Sequence, residues 1–148
     1  MNNISNEAHQ WPILRVVRQA ADRVQDLVDA SLAPTALTMP HLLFLEHLIH
    51  AGRGVPLGHM AQALGCGRSN ITQLADRLER LGLIVRHADR VDRRSVQAVI
   101  TPEGLSRYPA GAAALRVVEE QLRRGLSPDE ARRLVASLSD ITTAVPHD

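Results

Sequence analysis

The chain has 148 residues, 45% of them apolar and 22% charged, with a formal net charge of +1. That is one folded domain, or a lobe with an extension, long enough for a core and too apolar for a disordered chain. The single cysteine excludes an intrachain disulfide. No run approaches the roughly 18 apolar residues that span a bilayer. The opening MNNISNEAHQW lacks the basic start and apolar run of a signal peptide, so the expectation is a cytoplasmic protein with no membrane partner.

From His9 to about Leu32, apolar residues recur at Leu14, Val17, Ala21, Val24 and Val28, the spacing of one helix face. Ala33-Pro34-Thr35 ends that helix. Thr38 can cap a second helix, with Pro40 in its first turn, that runs to about Ala51 and stops at Gly52 and Gly54. Residues 57–64 and 68–81 form a third and a fourth helix, the latter closed by Gly82. Leu83–His87 and Ser95–Ile100 read as two short strands around the charged tip Ala88-Asp89-Arg90-Val91-Asp92-Arg93-Arg94. Thr101-Pro102-Glu103 then opens a long helix to about Arg124, which Pro109 should kink or divide. Ser127-Pro128-Asp129-Glu130 is a capping box that starts a last helix, with Leu134, Leu138, Ile141 and Val145 on one face.

Charge is unevenly placed. Residues 53–94 hold eight Arg against four acids, a local +4, and the remainder carries nine Arg against twelve acids, or −3. A basic centre flanked by acidic arms is the footprint of a localised phosphate-contact surface. All the basic residues are Arg, which offers bidentate donors to phosphate or guanine.

That centre has the layout of a helix-turn-helix followed by a β-wing. Met60, Leu64, Cys66, Ile71 and Leu74 fall where two crossing helices share a small core. Ala61 falls where they approach closely, and Gly65 in the turn, where a positive φ is easiest for glycine. On the fourth helix Ile71, Leu74, Leu78 and Leu81 are expected to face inward. Ser69, Thr72, Gln73, Asp76, Arg77 and Arg80 then point outward or to the flanks, with Arg68 and Asn70 at the exposed start. Arg68, Asn70 and Gln73 can read guanine or adenine edges, and Ser69 and Thr72 suit phosphate or a thymine methyl.

The run Leu64-Gly65, Arg68-Ser69-Asn70-Ile71-Thr72, Asp76-Arg77-Leu78-Glu79-x-x-Gly82-Leu83-Ile84-x-Arg86, then Asp89-x-x-Asp92-Arg93-Arg94 and Thr101-x-x-Gly104, resembles the MarR family of winged helix-turn-helix regulators. The match covers residues 57–104, and the helical order fits the whole chain. The resemblance implies a mainly α fold with a small β-wing. Residues 38–101 would form the DNA-binding lobe, and residues 9–33 and 102–145 a helical dimerisation lobe. It implies a homodimer with its fourth helices in successive major grooves of an operator and its wings on the adjacent minor grooves. DNA contacts would come from Arg68, Ser69, Asn70, Thr72, Gln73 and Arg77 and, in the wing, from Arg90, Arg93 and Arg94. Asp92 resembles an acid that shapes the wing, and Asp76 one that orients a wing arginine. Gly67 departs from the family, which usually has Ser as the cap there.

The resemblance also implies release of DNA by a small molecule, often a phenolic or aromatic carboxylate. Trp11 and Arg15, spaced i,i+4, offer a stacking surface and a carboxylate clamp, and with His41 they are the candidate site for an anionic aromatic effector. The plainer reading is a core Trp and a surface Arg. His41, His47, His50 and Glu46 raise metal sensing and Cys66 raises redox sensing, but a buried structural thiol suits Cys66 better, and no metal or other cofactor is expected to be required. The rival from another class is a winged-helix module that binds protein, which would need an apolar outer face on the fourth helix. With no Gly-rich phosphate loop, nucleophile elbow or paired-carboxylate constellation, the expectation is a DNA-binding repressor and not an enzyme.

Overall fold

The computed structural model describes residues 11–89 and 94–144. Its elements are α1 (Pro12–Leu32), a short 3-10 turn (Ala33–Thr35), α2 (Met39–Ala51), β1 (Val55–Pro56), α3 (Leu57–Ala63), α4 (Arg68–Arg80), β2 (Ile84–Ala88), β3 (Val96–Ile100), α5 (Pro102–Arg123) and α6 (Pro128–Ala144). The described residues therefore give the mainly α fold with a small wing that the sequence predicts. His9 and Val145, expected at the two ends of the terminal helices, lie outside the described residues.

α2 is the centre of the lobe. Its sequence MPHLLFLEHLIHA is apolar nearly all round, as suits a helix with neighbours on several sides. Leu42, Phe44, Leu45 and Leu48 are all fully buried, and α2 packs on α1, α4, α5 and β3. Its start is fixed by a reciprocal cap: the Thr38 hydroxyl accepts from the His41 backbone N–H, and His41 Nδ1 accepts from the Thr38 N–H at 3.2 Å. Histidine here takes the place of the usual Glu or Gln of a capping box.

Two helix ends shape the middle of the fold. After α3, Gly65 sits at φ +61° while its N–H reaches Gln62 O and Cys66 N–H reaches Ala61 O. After α4, Gly82 sits at φ +72°, its N–H reaches Glu79 O, and Leu83 N–H reaches Leu78 O. Both are left-handed C-terminal caps that satisfy orphan carbonyls, and the second seats Leu83 on Leu78 in the core.

The sheet is antiparallel in the order β1-β3-β2. Ile84 pairs with Ile100 and Arg86 with Ala98, while Val55 pairs with Ala98 on the other side. α5 begins hard against this sheet. The Thr101 hydroxyl donates to Gly82 O at 2.6 Å and accepts from Gly104 N–H at 3.1 Å. A Cβ on Gly104 would lie 2.3 Å from Leu83 O, so only glycine fits. Farther along α5, a Cβ on Gly111 would lie 2.5 Å from Leu42 Cδ2, which marks where α2 and α5 touch most closely.

Two expectations are corrected. α5 is not divided at Pro109 but runs as one helix from Pro102 to Arg123. The proline removes a single N–H, and Leu105, whose carbonyl loses that donor, is half exposed and open to water. On α4 the inward face is Ile71, Ala75 and Leu78 with Leu74 partly covered, whereas Leu81 is 40% exposed. Leu81 is the residue at which the helix ends, and Leu83, beyond the glycine, takes the core position instead.

Candidate nucleic-acid interface

α3, the Gly65 turn and α4 form the helix-turn-helix, with Met60, Ala61, Ile71 and Ala75 buried between them and Leu64, Cys66 and Leu74 packed at the edge. Burial of that face leaves Arg68, Ser69, Asn70, Thr72, Gln73 and Arg77 on the outer side of α4, most of them well exposed. The Thr72 hydroxyl donates back to Arg68 O at 2.9 Å, so that side chain presents its methyl and oxygen lone pairs outward. Gly67 starts α4 with no side-chain cap, so its first N–H groups are open to an anion.

The first wing strand is tied to α4 through Arg86. Its Nε and Nη2 donate to Glu79 Oε2 at 2.9 and 2.6 Å, its backbone N–H donates to Glu79 Oε1 at 3.1 Å, and its Nη1 meets Asp76 Oδ1 at 2.7 Å. Asp76 and Glu79 are three apart on one helix face, so a single guanidinium fork spans both. The Arg86 hydrogen bond holds the Glu79 carboxyl below its ordinary range. Asp76 is therefore paired with an arginine of the wing's first strand. The sequence pattern contained Arg86 and Glu79, but nothing in their spacing alone showed that they meet. Farther out, Gln97 Nε2 donates to Asp89 Oδ2 and Asp89 N–H to Ser95 O, which closes the strands below the tip. Arg94 is exposed at the base of that tip. Arg90, Asp92 and Arg93 lie outside the described residues.

Trp11, Arg15 and His41 are not brought together. Trp11 is 62% exposed at the start of α1, so it is not a core residue, and it shares an apolar groove with Leu14 and Ile141. Arg15 lies on an exposed stretch with Arg18 and Asp22. α1 lines the cavity beside α2 at Val24 and Val28, the nearer of them nine residues or about 13 Å farther along the helix than Arg15. His41 is buried in the cap of α2. Its burial, then Arg77 and Arg107, keep its pKa below the ordinary histidine value. His50 Nδ1 bonds Glu46 O at 2.9 Å, and among the described residues no three His, Cys, Asp or Glu gather in a metal-sized group. Cys66 is half-buried in the turn.

Residues 37–95 match the MarR family profile. Over that stretch the chain is similar to the MarR family. It is similar to YkoM of Bacillus subtilis, an uncharacterized HTH-type transcriptional regulator, with 42% identity over 73 residues. Those residues are 47% of this chain and 45% of that protein, so the chain spans less than half the length of that relative. A probable transcriptional regulator from Pseudomonas aeruginosa is similar in structure over 92% of this chain and 99% of its own, with 26% identity and a TM-score of 0.80. The repressor CouR of Rhodococcus jostii, in a structure bound to a 23-mer DNA duplex, is similar over 88% of this chain and 92% of its own, with 27% identity and a TM-score of 0.79.

Two further features of the chain lie outside the wing. α1 exposes Ile13, Leu14 and Val16, and α6 exposes Leu134, Val135, Leu138 and Ile141, with no residue of α6 buried. Between α1, α2 and α5 lies a cavity of about 620 Å³ walled by Val24, Val28, Leu42, Leu43, Leu115 and Leu122, with Glu46, Tyr108 and Arg116 among its polar groups. No helix of the described residues is long and apolar enough to cross a membrane.

Proposed function

We propose that this chain is a homodimeric transcriptional repressor that binds a pseudo-palindromic operator and releases it when a small molecule enters the cavity between α1, α2 and α5. The observation that carries the reading is the outer face of α4. Arg68, Ser69, Asn70, Thr72, Gln73 and Arg77 stand there with no apolar residue among them, beside a wing that Arg86 fixes to the same helix. Side chains of this kind suit base edges and phosphates and give a protein partner little to bury. The DNA-bound structure of CouR supports the same use of the fold. In this reading Asn70 and Gln73 read bases, whereas Arg94 with Arg90 and Arg93 grips the minor-groove side.

The homodimer is supported by the exposed apolar faces of α1 and α6, which the described residues of one chain leave uncovered. Two copies would set two α4 helices on half-sites about one helical turn apart. Selection of bound sequences from a random duplex pool tests this reading whatever the operator is. The expected result is an enriched inverted repeat with half-site centres about 10 base pairs apart. A pool that stays random after repeated rounds contradicts it.

A further inference from the structure

The cavity between α1, α2 and α5 has an unusual internal charge for a pocket that would take an aromatic acid. Among the described residues its one half-buried ionisable side chain, apart from the Tyr108 phenol, is Glu46, whereas Arg116 and Glu119 are exposed at its edge. Glu119 is engaged by Arg123 at 2.7 Å. The Tyr108 hydroxyl donates to Glu46 Oε1 at 3.1 Å, and among the described residues no hydrogen bond reaches Oε2. Burial first, and then Glu46, hold the Tyr108 phenol above its ordinary range, so it stays protonated and keeps that oxygen occupied. Glu46 Oε2 therefore stays open to solvent in a cavity whose lining includes Val24, Val28, Met39 and Leu42, where a ligand can donate to it.

We infer that this cavity takes a lipophilic ammonium: a molecule with a compact apolar body and a protonated nitrogen that donates to Glu46. A charge-assisted hydrogen bond from N–H⁺ to a half-buried carboxylate is about twice as strong as a neutral one. An anion in the same place would meet the Glu46 carboxylate as a like charge. Arg116, at the exposed edge, keeps its guanidinium in water and can tolerate a polar tail. The size also fits, since about 620 Å³ lies in the range of small-molecule sites. This assignment replaces the anionic aromatic expected from Arg15 and His41, and it rests on the effector reading of the cavity proposed above.

The site is coupled to α4 through α2. Leu42 lines the cavity and also packs where Gly111 lacks a Cβ, and α2 in turn packs on α4. A ligand that spreads α2 from α5 acts on the element that supports the DNA-facing helix.

Three probes of similar body and different head group separate the possibilities: phenethylammonium, 2-phenylethanol and phenylacetate, each titrated calorimetrically into the full chain at pH 7. Phenethylammonium should bind about tenfold or more tighter than phenylacetate, with the alcohol between them, the size expected of one charge-assisted hydrogen bond. Glu46→Gln should remove that preference. Tyr108→Phe should retain it, which keeps the test valid if the Gln variant folds poorly. Tighter binding of phenylacetate, an unchanged preference in Glu46→Gln, or no binding of phenethylammonium at millimolar concentration would each overturn the inference. DNA affinity measured in the same samples separates the two ideas. If the head-group preference holds but DNA affinity does not fall, the effector reading fails and the ligand chemistry stands.

Discussion

Between Leu37 and Ile100, Phe44, Leu45, Leu78 and Leu83 are completely enclosed, whereas on α6 Leu134, Leu138 and Ile141 remain 40–46% exposed. The two regions carry similar apolar residues and differ in what surrounds them. In the central lobe α2 is covered on several sides within one chain, and its polar residues are gathered on the outer side of α4 and in the Arg86 network. In α1 and α6 the apolar stripe finishes at the surface. The contrast teaches that the lobe encloses its own apolar residues within one chain, whereas the terminal helices leave theirs open, as the proposed dimer requires.

The strongest way to break the lobe is at Gly104. Gly104→Val places a side chain against Leu83 O and should cost about 3 kcal/mol in urea unfolding, and near-normal stability would remove the close approach from the account. Next, Leu138→Arg combined with Ile141→Arg should convert the proposed dimer to a single chain by light scattering. Retention of the dimer would mean that these faces are not the interface.

Arg86→Ala should cost about 1–2 kcal/mol, since the network is partly solvated, and should return the Glu79 carboxyl to its ordinary pKa, as read by NMR titration. The Arg86–Glu79 contribution is present above the ordinary Glu pKa and is lost as pH falls through the lowered one. His41 works in the same direction for a different reason. Its pKa is lowered, so the unfolded chain binds the proton first, and stability should fall as pH drops below about 6.5 until the folded-state pKa is passed. His41→Gln keeps a capping side chain without a titrating group and should flatten that segment of the curve. The smallest effect is expected at the start of α4, where Gly67→Ser should add a few tenths of a kcal/mol by supplying the missing cap.

Most of the lobe was legible because its signals are local. Thr38, Gly52, Gly65, Gly82, Thr101 and the Ser127–Glu130 box all mark ends that the structure places within a residue or two. What the sequence hid depends on contacts between distant segments. β1 is two residues long, contains Pro56, and exists only because β3 offers an edge to Val55. Leu81 reads as core by spacing, yet the glycine cap ends the helix and hands that place to Leu83. His41 reads as a ligand candidate, but its ring belongs to a cap. Trp11 and Arg15 have the right spacing for a clamp and lie at the wrong end of α1. The cavity between α1, α2 and α5 is assembled from three helices separated by up to about a hundred residues of chain, so no window of sequence contains it.

The central claim is that α4 and the wing grip duplex DNA in a sequence-selective way. The most direct test is fluorescence anisotropy on the selected duplex and on its scrambled version, at several salt concentrations, for the wild type and for Arg94→Ala and Gln73→Ala. The account predicts tight binding that falls steeply with salt for the selected duplex. Arg94→Ala should weaken binding to every sequence and lower the salt slope by about one, and Gln73→Ala should lose affinity at particular base pairs with the slope unchanged. Equal binding of both duplexes, with neither variant changing it, would contradict the account.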